Sequence, residues 1–290
     1  MAEFSLIKID GELTKPVALF VKKVSNAIGV VFEPTQIKRK AKAEAEAKKI
    51  TAIANIEINE IEQRAVNRLI GQIARKQKNI EQITTQAAAA LPLEANVKDL
   101  DEDWVAHFFE QCENVSDTEM QTIWAKLLSG EATNPGAYSK RTVNFVSTLD
   151  KKDAELFTKL CEFVCDFGVP TVLIYNSQNE IYNKNGINFN VLKHLDSLGL
   201  ISFESLSGYE RQKLPKKFTL YYYGRLTEIE CPDDSDNKIK IGNVLLTNLG
   251  RELLNISGSK PNEDFYEYMC NQLSVQGLVL SSLVDPGRAF

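Results

Sequence analysis

The chain has 290 residues, 43% of them hydrophobic and 25% charged, which places it in the soluble globular class with room for two ordinary domains. The net charge of -5 excludes nucleic-acid binding as a property of the whole chain, because the acidic excess lies beyond residue 100 and only the first hundred residues are net basic. Five cysteines, Cys112, Cys161, Cys165, Cys231 and Cys270, are an odd number without the spacing of a disulfide scaffold.

Met1-Ala-Glu-Phe-Ser5 lacks the basic region and apolar stretch of a secretory signal, so the expected location is cytoplasmic, with peripheral attachment at an inner membrane as an option. Residues 1–34 read as a short lead followed by an amphipathic segment, with Val17, Phe20, Val21, Val24, Ile28 and Val31 at helical spacing. Lys22 and Lys23 in its middle make it too polar to span a bilayer. Glu33-Pro34 then breaks the helix and Thr35 is a cap for the next one.

Residues 35–92 form the most distinctive stretch. From Gln36 to Ala90 there is no proline and one glycine, Gly71, among residues that are mostly strong helix formers. Unbroken, this helix would be roughly 80 Å long, and such length needs either a hairpin fold-back or another helix to cover it. Ile50, Ile53, Ile58, Ile61, Ala65, Leu69, Ile73, Ile80 and Ile83 recur three to seven residues apart without a strict heptad. Intramolecular packing and self-association therefore both remain open.

Residues 93–168 read as a helical bundle. Trp104, Val105, Phe108 and Phe109 cluster on one side of a helix over Asp101–Cys112, whose first turn is acidic. Ser116-Asp-Thr-Glu119 matches a capping box for a helix running to Gly130 and packed beside the first. Asn134-Pro135-Gly136 is turn chemistry, Ser139 caps a helix over Thr142–Leu149, and a further helix is expected over Asp150–Phe167.

Residues 169–284 change texture. Thr171–Tyr175 reads as a strand, Asn176–Gly186 as a loop, and Asn188–Leu198 as a helix. Leu200–Phe203, Phe218–Tyr223, Arg225–Ile229 and Lys238–Ile241 read as strands around an irregular loop, and Val244–Leu254 as a strand entering a helix capped by Thr247. This is the order of a winged helix. One more helix is expected over 261–280, and 285–290 is a loose tail. The expected fold class is mainly α with a small α+β part.

Glu33-Pro34 with the basic, Ala/Glu-rich run to Ala47, Trp124-Ala-Lys-Leu-Leu-Ser-Gly-Glu131, Pro135-Gly136, Ser139-Lys-Arg141-Thr142 and Leu149-Asp150-Lys-Lys-Asp153-Ala154 resemble an uncharacterised bacterial family. The layout is also similar, more distantly, to the abortive-infection alpha proteins of phage defence. That resemblance implies a bacterial protein without an established enzyme activity, in a defence or mobile-element setting.

Catalytic motifs are scarce. His107 and His194 are the two histidines, and neither sits in a nucleophile-elbow or protease motif. Cys161 and Cys165 are one helical turn apart but lack a second ligand pair for zinc, and no phosphate-binding glycine loop occurs. No cofactor and no metal are expected. Glu131, Arg141 and Asp153 flank turn signals and form either a structural ion-pair group or a ligand site. Lys38, Arg39, Lys40 and Lys42 are candidate contacts to phosphate or anionic lipid, with a solvated helix face as the simpler reading. Lys193, Arg211, Lys213, Lys216 and Lys217 are candidate nucleic-acid contacts in the winged-helix-like region.

The expectation is a non-enzymatic, oligomeric binding or scaffold protein, a sensor or adaptor in anti-phage defence, whose partners are itself and another protein. Its alternatives are a winged-helix DNA-binding regulator and an abortive-infection effector at an anionic inner-membrane surface.

Overall fold

A computed structural model describes residues 14–28, 60–92, 94–98 and 100–283. The chain divides into two compact units, residues 1–148 and 149–290. Among the described residues the first holds helices and the second combines helices with antiparallel sheets, so the protein is mixed α+β. The expected boundaries at residues 34 and 285 and the basic run at 38–42 lie outside the described residues.

In the first unit, α1 (Lys15–Ile28) buries Phe20 and Val24 completely, as its helical spacing predicts. The long-helix expectation is described from Glu60 onward, where α2 (Glu60–Ala90) spans 31 residues. Its second half buries Asn79, Ile83, Thr84, Ala87 and Ala88, whereas Leu69 and Ile73 in its first half are 55% and 58% exposed. The helix α3 (Glu102–Cys112) starts where expected, because the Asp101 side chain accepts the Trp104 backbone N–H at 2.7 Å.

Three helical details differ from expectation. The cap of α4 (Thr118–Thr133) is Asp117, whose carboxylate accepts the N–H groups of Glu119 and Met120, while the Ser116 hydroxyl is taken by Asn79. The carboxylate outcompetes the hydroxyl because a charged acceptor binds the helix N-terminus more strongly. The same helix continues past Gly130 to Thr133, since no left-handed residue stops it there; Gly130 instead leaves room for the Tyr138 ring. The main partner of α4 is α2, and it meets α3 through the edge-to-face contact of Phe108 with Trp124, centroids 5.2 Å apart. The unit closes with α5 (Lys140–Thr148), which packs on α3.

The second unit opens with α6 (Lys151–Cys161), which ends six residues before the end of the helix expected from 150 to 167. Cys165 lies instead in β1 (Val164–Asp166), which turns at Phe167-Gly168, with Gly168 at φ +91°, and pairs antiparallel with β2 (Pro170–Val172). A short apolar run such as Phe163–Phe167 fits either period, and here the neighbouring strand decides it. The supposed loop after Asn176 contains one helical turn, α7 (Glu180–Asn183), and α8 (Phe189–Ser197) follows with Asn188 as its cap.

The remaining strands are β3 (Ile201–Phe203), β4 (Tyr209–Leu214), β5 (Lys217–Tyr222), β6 (Arg225–Glu230), β7 (Asn237–Gly242), β8 (Val244–Leu246) and, after two helices, β9 (Val279–Leu283). They form a five-stranded sheet in the order β2-β1-β5-β6-β9 and the pairs β3-β8 and β4-β7. The strand β4 was hidden in sequence because only Leu214 among its six residues is buried, which removes any two-residue alternation. Between β8 and β9, α9 (Asn248–Leu254) is capped by Thr247, whose hydroxyl accepts the Gly250 N–H at 3.0 Å. Then α10 (Glu263–Val275) brings Phe265 against Phe163 and Tyr222, the centre of this unit's core. No described helix is long and apolar enough to cross a membrane.

Candidate functional site

The part of the motif from Glu131 to Lys140 forms one side of an open cleft of about 600 Å³ in the first unit. Leu100, Asp101, Trp104, Glu131, Tyr138 and Lys140 are among its walls. Glu131 is 3% exposed, and its carboxylate accepts the backbone N–H of Gly136 at 2.6 Å and of Tyr138 at 3.0 Å. It therefore closes the turn Asn134–Tyr138 as a charged acceptor for two amides that would otherwise be unpaired. Trp104 fastens the other end of that turn, donating its indole N–H to the Tyr138 carbonyl at 2.8 Å. Gly136, at φ +85°, takes the left-handed conformation the turn requires.

The three residues grouped in sequence have different surroundings, each within its own unit. Glu131 is committed to the turn, Arg141 is exposed at the start of α5, and Asp153 in the second unit holds His194 Nε2 at 2.8 Å, joining α6 to α8. The other histidine, His107, meets Asn144 Oδ1 at 2.6 Å across α3 and α5. Each engaged group ties one element to another within its own unit.

Of the candidate nucleic-acid contacts, Lys216 meets Asp234 at 2.7 Å, and Lys217 meets Glu228 at 3.3 Å and Glu230 at 3.2 Å. The hydrogen bond and charge of Asp234 hold the Lys216 ammonium above its usual range. Lys193 lies 3.6 Å from Asp196 and 5.2 Å over the Phe203 ring. Arg211 stacks above Phe167 at 5.9 Å, and Lys213 is exposed at φ +58°. Three of the five, Lys193, Lys216 and Lys217, thus already stand beside carboxylates. Lys38, Arg39, Lys40 and Lys42 lie outside the described residues.

The thiols are protected rather than poised. Burial pushes the Cys161 thiol up to about 12 and the Cys112 and Cys165 thiols well above the usual range. Among the described residues, no cluster of three or more His, Cys, Asp or Glu is placed to hold a metal ion.

A surface that sequence reading treated only as one half of a long helix is the first half of α2. The stripe that holds Leu69 and Ile73 passes the half-buried Lys76 and continues through Ile80 to Ile83 and Ala87, about four helical turns on. The second half is covered by α4. At the border, the connection before α4 is tied down by the Lys76–Glu113 ion pair and by Asn79, which donates to the Glu113 carbonyl at 2.9 Å and to Ser116 Oγ at 3.1 Å. Leu69 and Ile73 lie beyond that border.

Fold and side-chain placement together define a two-unit α+β protein, with a helical unit preceding one built on antiparallel sheets. The helical unit carries a carboxylate-closed turn beside a cleft. The chain belongs to the family described as Protein of unknown function (DUF2806), whose model matches residues 63–270 and so includes parts of both units. No curated protein and no solved structure matches it.

Proposed function

We propose that this chain is a non-enzymatic binding or scaffold protein that acts within an assembly, with the first half of α2 as its docking element and the C-terminal unit as a second recognition module. The observation that carries this reading is the uncovered continuation of the α2 apolar face at Leu69 and Ile73. Single exposed apolar residues are ordinary, but a row of them on a helix face whose other half is core is what a docking helix offers. Leu69 and Ile73 are already almost half covered, so burying the remainder is worth about 1–1.5 kcal/mol each, a contribution that favours association once a partner is positioned.

For the C-terminal unit, the sequence of α8, β3, the β4–β7 pair and β8 supports a winged-helix-like module. Recognition of protein is the better-supported use, because Lys216 and Lys217 already have carboxylate partners. A sensor or adaptor in anti-phage defence would use such a division of labour.

The test is the mass of the full chain purified from cells carrying its own locus, measured by light scattering. The expected mass exceeds the 32.5 kDa of one chain, and Leu69→Lys with Ile73→Lys returns it to one chain. A single-chain mass for the unsubstituted protein removes the assembly reading.

A further inference from the structure

On the side of α2 turned away from Leu69 and Ile73, we infer a second surface: a basic stripe that binds the phosphate backbone of duplex nucleic acid without reading its sequence. Arg64, Arg68, Arg75 and Lys78 are all exposed. They fall within one arc of about 80°, about 100–180° around the helix from Leu69 and Ile73, and extend over about 21 Å of its axis. Between Arg64 and Lys78 that arc holds only these four cations and Gly71. Arg64 has Glu60 one turn away at 3.4 Å, while Arg68, Arg75 and Lys78 have no ion pair among the described residues. Two acids of the adjoining α3–α4 connection are engaged elsewhere, Glu113 with Lys76 and Asp117 with the N-terminus of α4.

The make-up of the arc selects the partner. On a chain of net charge -5, a run of cations without acids among them is a local feature that attracts a polyanion. Three of the four are arginines, whose planar forks match phosphate oxygens. Gly71 lies inside the arc, and a Cβ there would meet nothing within 4 Å, so no packing contact requires a glycine. Glycine in a helix interior is less stable than alanine, and its use is to let another backbone approach closely. A lipid surface needs apolar side chains beside the cations to insert, and the arc has none between Arg64 and Lys78. Single-strand binding rests on bases stacked against aromatic rings, and Glu60–Ala90 contains no aromatic residue. A duplex offers an unbroken line of phosphates and asks only for charge along it.

The experiment uses the full chain and short fluorescent DNA duplexes of two unrelated sequences, with an RNA duplex and a single strand of the same length beside them. Anisotropy is expected to rise equally with both DNA sequences and less with the single strand; a DNA or an RNA duplex bound in this way supports the inference. Four phosphate contacts give a log–log salt slope of about -3.6 or steeper on DNA. Arg68→Ala with Arg75→Ala should flatten that slope by about 1.8 and weaken binding more than about tenfold at moderate salt. Gly71→Glu, which sets a carboxylate inside the arc, should weaken it severalfold. Leu69→Lys with Ile73→Lys, on the other side of the helix, should leave duplex binding no weaker. Loss of assembly and loss of duplex binding therefore report on separate surfaces, and a single-chain mass with duplex binding intact removes the docking reading alone. Circular dichroism and thermal unfolding check that these surface substitutions leave the fold intact. No binding at low salt, a slope unchanged by the arginine substitutions, or preference for the single strand overturns the inference. So does arginine-dependent binding of phosphatidylserine vesicles or of polyglutamate as tight as that of the duplex.

Discussion

The two tryptophans differ in what their indole N–H groups do. Trp104 donates to the Tyr138 carbonyl, whereas the indole nitrogen of the fully buried Trp124 has no hydrogen-bond partner. Replacing either by phenylalanine removes volume, but only Trp104→Phe also strands a carbonyl, which costs about 1–3 kcal/mol. Urea unfolding should therefore show Trp104→Phe as the more destabilising of the two. Glu131 is a stronger case, because its carboxylate serves two amides from a buried position. Glu131→Ala should destabilise by about 3 kcal/mol or more, and Glu131→Gln by less, since the amide retains one acceptor oxygen. The sequence drew attention to Glu131 through the adjacent turn signals, but it suggested arginine as the partner. Backbone amides are invisible as partners in a sequence, because every residue except proline carries one.

At the level of elements, the contacts that fix how segments meet are short polar links and glycines. Asn79 is 2% exposed and Gln121 1%, and they join α2 to the start of α4 through the Glu113 and Val115 carbonyls and Ser116. Asn79→Ala should cost about 1–3 kcal/mol in denaturant unfolding by leaving buried acceptors unmet. Gly250 allows α9 to rest against the turn before β3: a Cβ there would stand 2.1 Å from the Leu200 carbonyl oxygen. Gly250→Ala should destabilise by about 2 kcal/mol or more, because backbone rather than a movable side chain is in the way; a fall in Tm measured by calorimetry checks it. The cap at Thr247 was legible because an oxygen-bearing side chain before an apolar-periodic run has one dominant use, whereas Asp101 and Asn188, placed inside their helices by the sequence, prove to be caps just before them. The β4 and β1 strands were not legible, since their burial depends on strands distant in sequence, although β2 was read as part of a strand over Thr171–Tyr175.

Across the whole molecule, burial pushes buried thiols and tyrosines in one direction. Cys112, Cys161 and Cys165 and the phenols of Tyr175, Tyr182 and Tyr222 are all raised, chiefly by burial. A group whose folded value exceeds its unfolded value stabilises fully below the unfolded value and loses that contribution as pH rises toward the folded one. Stability should therefore decline from about pH 9, the ordinary thiol value, toward pH 12, where the Cys161 thiol titrates. Unfolding free energies measured across that range check the sign, and a flat or rising profile contradicts it. In native protein near pH 8, a thiol reagent should react first with half-buried Cys270, and with Cys112, Cys161 and Cys165 only on unfolding.

By itself the sequence determined where most of the described helices start, that the described part of the N-terminal half is helical, and that a strand-containing region follows near residue 170. Helix periodicity and capping are local, so a window of a dozen residues contains them. Only the tertiary structure decided that Cys161 and Cys165 belong to different elements, that Glu131 closes a turn while Asp153 holds a histidine, and that α4 covers α2 only from about Asn79 onward. Each of those outcomes depends on which distant segment arrives at a given surface. The same apolar stripe on α2 is core at Ile83 and open at Leu69 because α4 reaches one and not the other.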